Sequence, residues 1–210
     1  MIVFFNWFTK ITAWPLQKIL FKTKIYYENK KVQGRIIKGP AIIISNHTNI
    51  FDYACYLFVF WNRTLRCQMA EVLYTHKVLG ILLRLLGGIY VDRRTFDFSF
   101  MDKSLEILKK GGVVEIFPEA RIPLPEEKRP LKFTSSAAWI ALKAKVPVIP
   151  VYTNGSYFKR KRARVIIGQP VNPSEYENPS LSNRENMVRL TEVFRKKIID
   201  LGKQLDEKAK

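Results

Sequence analysis

His47 and Asp52 are the two residues of this chain whose types and separation suit proton transfer. They lie in the stretch Ile42-Ile43-Ile44-Ser45-Asn46-His47-Thr48-Asn49-Ile50-Phe51-Asp52, where an apolar β-branched run stops at polar residues. A second apolar run follows at 53–61. The pattern predicts a buried strand, a short loop and a helix. On a continuous helix, residues five apart are turned by about 140° and face away from one another. A hydrogen bond from imidazole to carboxylate therefore needs the strand–loop–helix break. An aspartate in the first turn is also stabilised as an anion by the helix N-terminus. With Asp52 fixing one ring nitrogen of His47, the other is left to take a proton, as a general base does. His76, the other histidine, has Ile81 five residues on, so the pattern occurs once.

The elements that must hold this pair are an alternation of apolar runs. Strands are predicted at 30–37, 41–44, 65–69, 89–91, 113–117, 146–152 and 165–167, and helices at 76–86, 100–110 and 135–145. Gly87-Gly88 and Gly111-Gly112 close the first two of these helices. Residues 122–130 are loop-like, with three prolines. Near the end, Ser182 and Glu185 form a capping box ahead of an apolar stripe through Met187, Leu190, Phe194, Ile198, Leu201 and Leu205. Strands alternating with helices, each strand nearly continuous in apolar residues, predict an α/β fold with a largely parallel central sheet flanked by helices. Three polar groups then fall at strand ends: His47 with Asp52, Asp92-Arg93-Arg94, and Glu119 with Arg121. In open α/β sheets, sites collect there.

A chain of 210 residues fits one domain, and 47% apolar with 26% charged residues is a globular composition. Cys55 and Cys67 sit among apolar neighbours without metal-ligand spacing, which predicts free thiols in a reducing compartment. The charge is unusual: 36 Lys and Arg against 18 Asp and Glu, a net +18. Such a surface attracts a polyanion, either a nucleic acid or an anionic membrane. Residues 159–164 are the densest basic cluster.

Residues 1–27 form a segment apart, ahead of an α/β domain at 28–210. Lys10, Pro15 and Lys18 interrupt the apolar run too often for a membrane span, which needs about 20 mainly apolar residues. The lysines follow the apolar start and no small-residue cleavage site appears, so a signal peptide does not fit either. Phe4, Trp7, Ile11 and Trp14 fall at helical spacing, and Lys10, Lys18, Lys22 and Lys24 supply charge. Aromatics with lysines suit a membrane interface. A helix pair packed into the core is the other reading of the same residues.

The residues Asn46-His47-Thr48-Asn49-Ile50-Phe51-Asp52 resemble the His-x4-Asp motif of the glycerolipid acyltransferases, the family of bacterial 1-acylglycerol-3-phosphate acyltransferases. Gly88-Ile89-Tyr90-Val91-Asp92-Arg93 resembles its second block and residues 113–121 its Phe-Pro-Glu-Gly block. Val146-Pro147-Val148-Ile149-Pro150-Val151 resembles the fourth. Order and spacing agree over about residues 40–170, roughly two thirds of the chain. One block departs: Ala120 stands where the family has glycine, and no threonine separates it from Arg121. An alanine disfavours positive φ, so a differently shaped turn is expected there.

The resemblance implies transfer of a fatty acyl group from acyl-CoA or acyl carrier protein to the hydroxyl of a glycerol phosphate lipid, without cofactor or metal. His47 would be the base and Asp52 its partner. Arg93 and Arg121 would hold the acceptor's phosphate, and Glu119 would position the acceptor or its arginine partner. No acyl-enzyme is expected, since Ser45 and Cys55 lie in apolar runs with no activating cation beside them. The main acceptor would be 1-acylglycerol 3-phosphate, in phospholipid synthesis; glycerol 3-phosphate or another lysophospholipid is the alternative. The expected place is the cytoplasmic face of the cell inner membrane, on anionic lipid. A basic nucleic-acid-binding module is the remote alternative. It calls for aromatics interleaved with the basic residues, whereas here the aromatics gather at the N-terminus.

Overall fold

Seven strands form one sheet in the computed structural model, which describes residues 1–95, 97–158 and 162–209. Two helices, α1 (Ile2–Thr12) and α2 (Trp14–Leu20), lead into β1 (Lys24–Tyr27). Then come β2 (Ala41–Ser45), α3 (Asp52–Val59), β3 (Leu65–Ala70), α4 (Lys77–Leu86), β4 (Ile89–Val91), α5 (Ser99–Lys109) and β5 (Val113–Ile116). The chain closes with α6 (Ser136–Ala144), β6 (Val148–Thr153), β7 (Arg164–Ile167) and α7 (Asn183–Lys208). The sheet order is β1-β7-β6-β2-β5-β3-β4, and every neighbouring pair is parallel except β6 with β7.

β2 lies inside the sheet, fully buried, and its isoleucines point alternately to the two faces. Ile43 joins Cys67, Tyr53, Tyr56 and Phe60 on the face covered by α3. Ile42 and Ile44 meet Leu190, Phe194 and Ile198 of α7, with Ala138 and Ile140 of α6, on the other. The period-2 pleat thus gives one strand two cores, which is why an unbroken apolar run suits it. The capping box is present: Ser182 Oγ accepts from the Glu185 amide while the Glu185 carboxylate accepts from the Ser182 amide. Both cysteines are free and buried.

Residues 30–37 do not form the predicted strand. Side chains take up the backbone groups that a ladder would use. Asn29 Oδ1 accepts from the Lys31 amide, and the Gln33 amide group donates to the carbonyls of Gly34 and Ile36. Arg35 from this stretch caps α3, donating to the carbonyls of Phe58 and Val59 at 2.7 and 2.9 Å. The strand lies earlier, at Lys24–Tyr27, so the sheet begins inside the segment read as 1–27 and the helices end at Leu20.

Those helices carry three polar residues inward. Asn6, Lys10 and Gln17 are buried, whereas Phe4 is 73% exposed and Ile11 69%, with Trp7 and Trp14 also outward. Lys10 therefore does not point to an anionic surface, as its sequence position suggested. It donates to the carbonyls of Trp61 and Arg63 just past the C-terminus of α3, and burial lowers its amine to about 8. α4 packs beside α1 and presents Val78, Ile81 and Leu82 outward, Val78 at 83% exposure. No described helix is long and apolar enough to cross a membrane.

Candidate active site

The polar loop between β2 and α3 is fastened from three directions. Asn46, the residue after β2, exchanges two hydrogen bonds of 2.9 Å with the backbone of Thr153 at the end of β6. The His47 amide donates to Glu119 Oε1 at 2.9 Å, and Glu119 Oε2 accepts from the Leu131 amide at 2.8 Å. Glu119 thus ties the loop to the segment ahead of α6. It makes no ion pair with Arg93 or Arg121 among the described residues; its hydrogen bonds place it behind the histidine. Burial raises its carboxyl above the usual range, against the two amides that pull it down.

Asp52 opens α3 and is completely buried. Its Oδ2 accepts from His47 Nδ1 at 2.8 Å and from the amides of Thr48 and Asn49 at 2.7 and 2.9 Å. Its Oδ1 accepts from Thr48 Oγ1 and from the Tyr157 hydroxyl, both at 2.8 Å. The strand–loop–helix break closes the predicted contact. The His47 ring stacks on Phe117, centroids 4.3 Å apart. Its Nε2 has no hydrogen-bond partner among the described residues, and His47 lines a cleft of about 1270 Å³. A base with one nitrogen held and the other open to a cleft can take a proton from a bound hydroxyl.

Apolar side chains of α2, α3 and α4 line the cleft, including Leu16, Leu57 and Leu82, and Arg93 and Arg121 lie at its polar end. The two arginines are not in contact with His47. Arg93 follows β4, donates from Nη1 to the Ala120 carbonyl at 3.1 Å and pairs with Glu71 at 3.3 Å. Arg121 pairs through both terminal nitrogens with Glu127, at 2.5 and 2.6 Å. That guanidinium, with the Leu124 amide, holds the Glu127 carboxyl down at about 2. Ala120 takes positive φ, 59°, in spite of its Cβ. The turn keeps the left-handed conformation that a glycine would adopt freely, at a strain of about 1–2 kcal/mol.

Phe4, Trp7, Ile11 and Trp14 stand on the outer face of α1 and α2. Ile50 and Phe51, in the loop beside His47, are exposed as well and line the same cleft. Lys159, Arg160 and Lys161 of the basic cluster lie outside the described residues. Ser45 turns inward and shares a short contact with the Tyr56 hydroxyl, and burial pushes the Cys55 thiol up to about 12. Neither is a prepared nucleophile. Sequence reading missed Thr48, Phe117 and Tyr157. Thr48 was adjacent and legible as a donor; nothing local marks Tyr157, which lies far along the chain.

A family model described as Acyltransferase matches residues 23–154. The 1-acyl-sn-glycerol-3-phosphate acyltransferase of Bacillus subtilis is 29% identical over 140 residues, 64% of this chain and 67% of that protein. Human 1-acyl-sn-glycerol-3-phosphate acyltransferase beta is 27% identical over 152 residues, 70% of this chain and 54% of that one. The yeast relative of the same activity is 25% identical over 156 residues, 72% of this chain and half of its own length. The crystal structure of a 1-acyl-sn-glycerophosphate acyltransferase from Thermotoga maritima superposes with a TM-score of 0.66 at 20% identity, over 94% of this chain and 78% of that one. It shares this fold.

Proposed function

This chain belongs to the acyltransferase family, and we propose that it acylates the free hydroxyl of 1-acylglycerol 3-phosphate, making phosphatidic acid. The donor is an acyl thioester, acyl-CoA or acyl carrier protein. The observation that carries the reading is the state of His47: Nδ1 is held by Asp52 and Nε2 is open to an apolar cleft long enough to reach α4. Nε2 removes the hydroxyl proton as the oxygen attacks the thioester carbonyl. The tetrahedral intermediate then collapses, the carbon–sulfur bond breaks, and the leaving thiolate takes the proton back from the imidazolium. Asp52 stabilises that imidazolium. A thioester is already activated, so orientation of the reactants and a base carry the chemistry. Arg93 and Arg121 take the acceptor's phosphate, for which guanidinium geometry is suited.

The outward apolar residues of α1, α2 and α4 would rest in the membrane interface, with the cleft opening beside them. That brings a lipid acceptor to His47 without full extraction from the bilayer. Lys18, seated over the Trp14 ring at 4.9 Å, adds a cation at headgroup depth. The cytoplasmic face of the inner membrane, where thioester donors are found, fits this arrangement.

Glycerol 3-phosphate or another lysophospholipid is the second reading, favoured by Arg121 being turned onto Glu127. One experiment separates them. Purified protein is incubated with a panel of lysolipids, glycerol 3-phosphate and both donor types, and products are read by mass spectrometry. Phosphatidic acid as the main product supports the first reading. Lysophosphatidic acid, or a diacyl lipid other than phosphatidic acid, as the main product transfers the case to the second, and no acyl product from any acceptor ends both.

A further inference from the structure

The buried hydroxyl of Tyr157 has no role in the chemistry above, yet it touches the carboxylate on which His47 depends. We infer that Tyr157 is a positioning residue that sets the basicity of His47 through Asp52. The inference rests on the proposed function for its kinetic consequence, but not for its physical one.

Tyr157 reaches Asp52 from just past the strand next to β2, far along the chain but adjacent in the sheet. β6 ends at Thr153, and Asn154-Gly155 turns the chain back over the loop that carries Thr48. Gly155 stands at φ 63°, and a Cβ there would lie 2.3 Å from Thr48 Oγ1, so this crossing requires glycine. Two residues later the Tyr157 ring is buried against Phe21, edge-on at 5.3 Å. Its hydroxyl sits between Thr153 Oγ1 at 3.2 Å and Asp52 Oδ1 at 2.8 Å. Burial pushes the phenol far above its ordinary range, so it stays a donor at every working pH.

A donor on Oδ1 does two things to Oδ2, the oxygen that holds His47. It fixes the carboxylate's rotation, so Oδ2 stays in line with Nδ1. It also draws negative charge toward Oδ1, which weakens the pull of Oδ2 on an imidazolium. The titratable groups around the pair act with or against it from every packed element. Cys55 and Tyr56 on α3, Cys67 on β3 and Glu115 on β5 all face Asp52, and Glu119 lies behind His47. Burial holds the two thiols, the Tyr56 phenol and the Glu115 carboxyl toward their neutral forms. Tyr157 is the member of this set that donates directly to Asp52.

With two histidines in the chain, His47 is easily resolved by nitrogen-15 NMR in a His76→Gln background. The titration midpoint of His47 is measured in the full-length protein and in Tyr157→Phe, which keeps the ring packed on Phe21. The midpoint should move up by about half to one unit, the shift equivalent to an ordinary hydrogen bond. The acid limb of kcat against pH should move up with it. At pH below the limb, kcat should then fall about threefold to tenfold and recover at high pH, with KM for the acceptor unchanged. Thr48→Val, which removes the other side-chain donor to Oδ1, should act in the same direction and stands in if Tyr157→Phe does not fold. An unmoved midpoint in a folded variant, or a kcat lowered equally at all pH, overturns the inference. A moved midpoint in a protein with no acyl transfer leaves the inference standing and overturns the proposed function instead.

Discussion

The loop of His47 and the two arginines at the cleft's polar end obey opposite rules. Around His47, every carboxylate oxygen of Asp52 and Glu119 is taken by a donor, from the loop itself and from Leu131 and Tyr157, and both carboxylates are buried. Arg93 and Arg121 are half exposed and hold carboxylates, Glu71 and Glu127, in the positions an anionic ligand would want. On the proposed function, the reacting group is built before substrate arrives, and the binding groups are kept in reserve on exchangeable partners. A surface ion pair is worth little and breaks cheaply, so on that proposal the acceptor's phosphate would displace Glu127 without disturbing His47.

The sharpest test of that division is His47→Ala. It should lower turnover by at least about 10²–10⁴-fold while leaving the thermal midpoint near that of the parent, because the ring is partly exposed and the loop is held by backbone bonds. Steady-state rates alongside thermal unfolding check both halves. Near-normal turnover in the folded variant would end the proposed chemistry. Arg93→Ala and Arg121→Ala should each raise KM for the acceptor about tenfold to a hundredfold, the equivalent of about 1.5–3 kcal/mol of charged hydrogen bonding, with KM for the thioester unchanged. An effect confined to the thioester would reassign both residues to the donor's phosphates.

Glu115 is where the contrast breaks down. It is buried in β5 beneath α3, and neither carboxyl oxygen has a partner among the described residues. Burial raises its pKa well above the carboxylate range. The folded state holds the proton that the unfolded chain releases. This contribution is therefore full below the ordinary carboxylate range and is lost as pH rises through it toward the folded value. Glu115→Met should raise stability at neutral pH by about 1–3 kcal/mol, and urea midpoints should show a flatter dependence on rising pH than the parent. A destabilised variant would mean that the carboxyl has a partner after all. The smallest effect is expected at Glu127→Gln, which frees Arg121 and should lower KM for the acceptor about twofold to threefold. A higher KM would show instead that Glu127 aims Arg121 at its ligand.

The dyad was legible because it is local: five residues, one strand end and one helix start decide whether imidazole and carboxylate meet. The parallel sheet was legible for a related reason, since burial on both faces leaves unbroken apolar runs. What escaped was set by distant partners. Residues 30–37 read as a strand by composition, but Asn29 and Gln33 satisfy the backbone there. Lys10 read as a surface cation, but α3 ends beneath it and needs a donor. Ala120 read as a misfit for positive φ, and the chain takes that conformation regardless, because Glu119 before it and Arg121 after it are fixed by other contacts. Tyr157 had no local sign at all.

Among the described residues β1 pairs with β7 alone, Lys24 opposite Arg164, so the first strand of the sheet in chain order has the last as its neighbour. A ribosome adding about 5–20 residues per second leaves β1 waiting on the order of ten seconds for its partner. That edge closes only once β7 has been made. It also joins the two ends of the architecture, because the Phe158 amide bonds to the Leu20 carbonyl and Phe21 packs on Tyr157. Until translation has passed residue 164, β1 lacks its ladder partner, and until it has passed residue 157 the roof over Asp52 is missing. α1 has its seats earlier, on the carbonyls of Trp61, Arg63 and Leu86, so what the last strand completes is the sheet edge and the Tyr157 donor to Asp52.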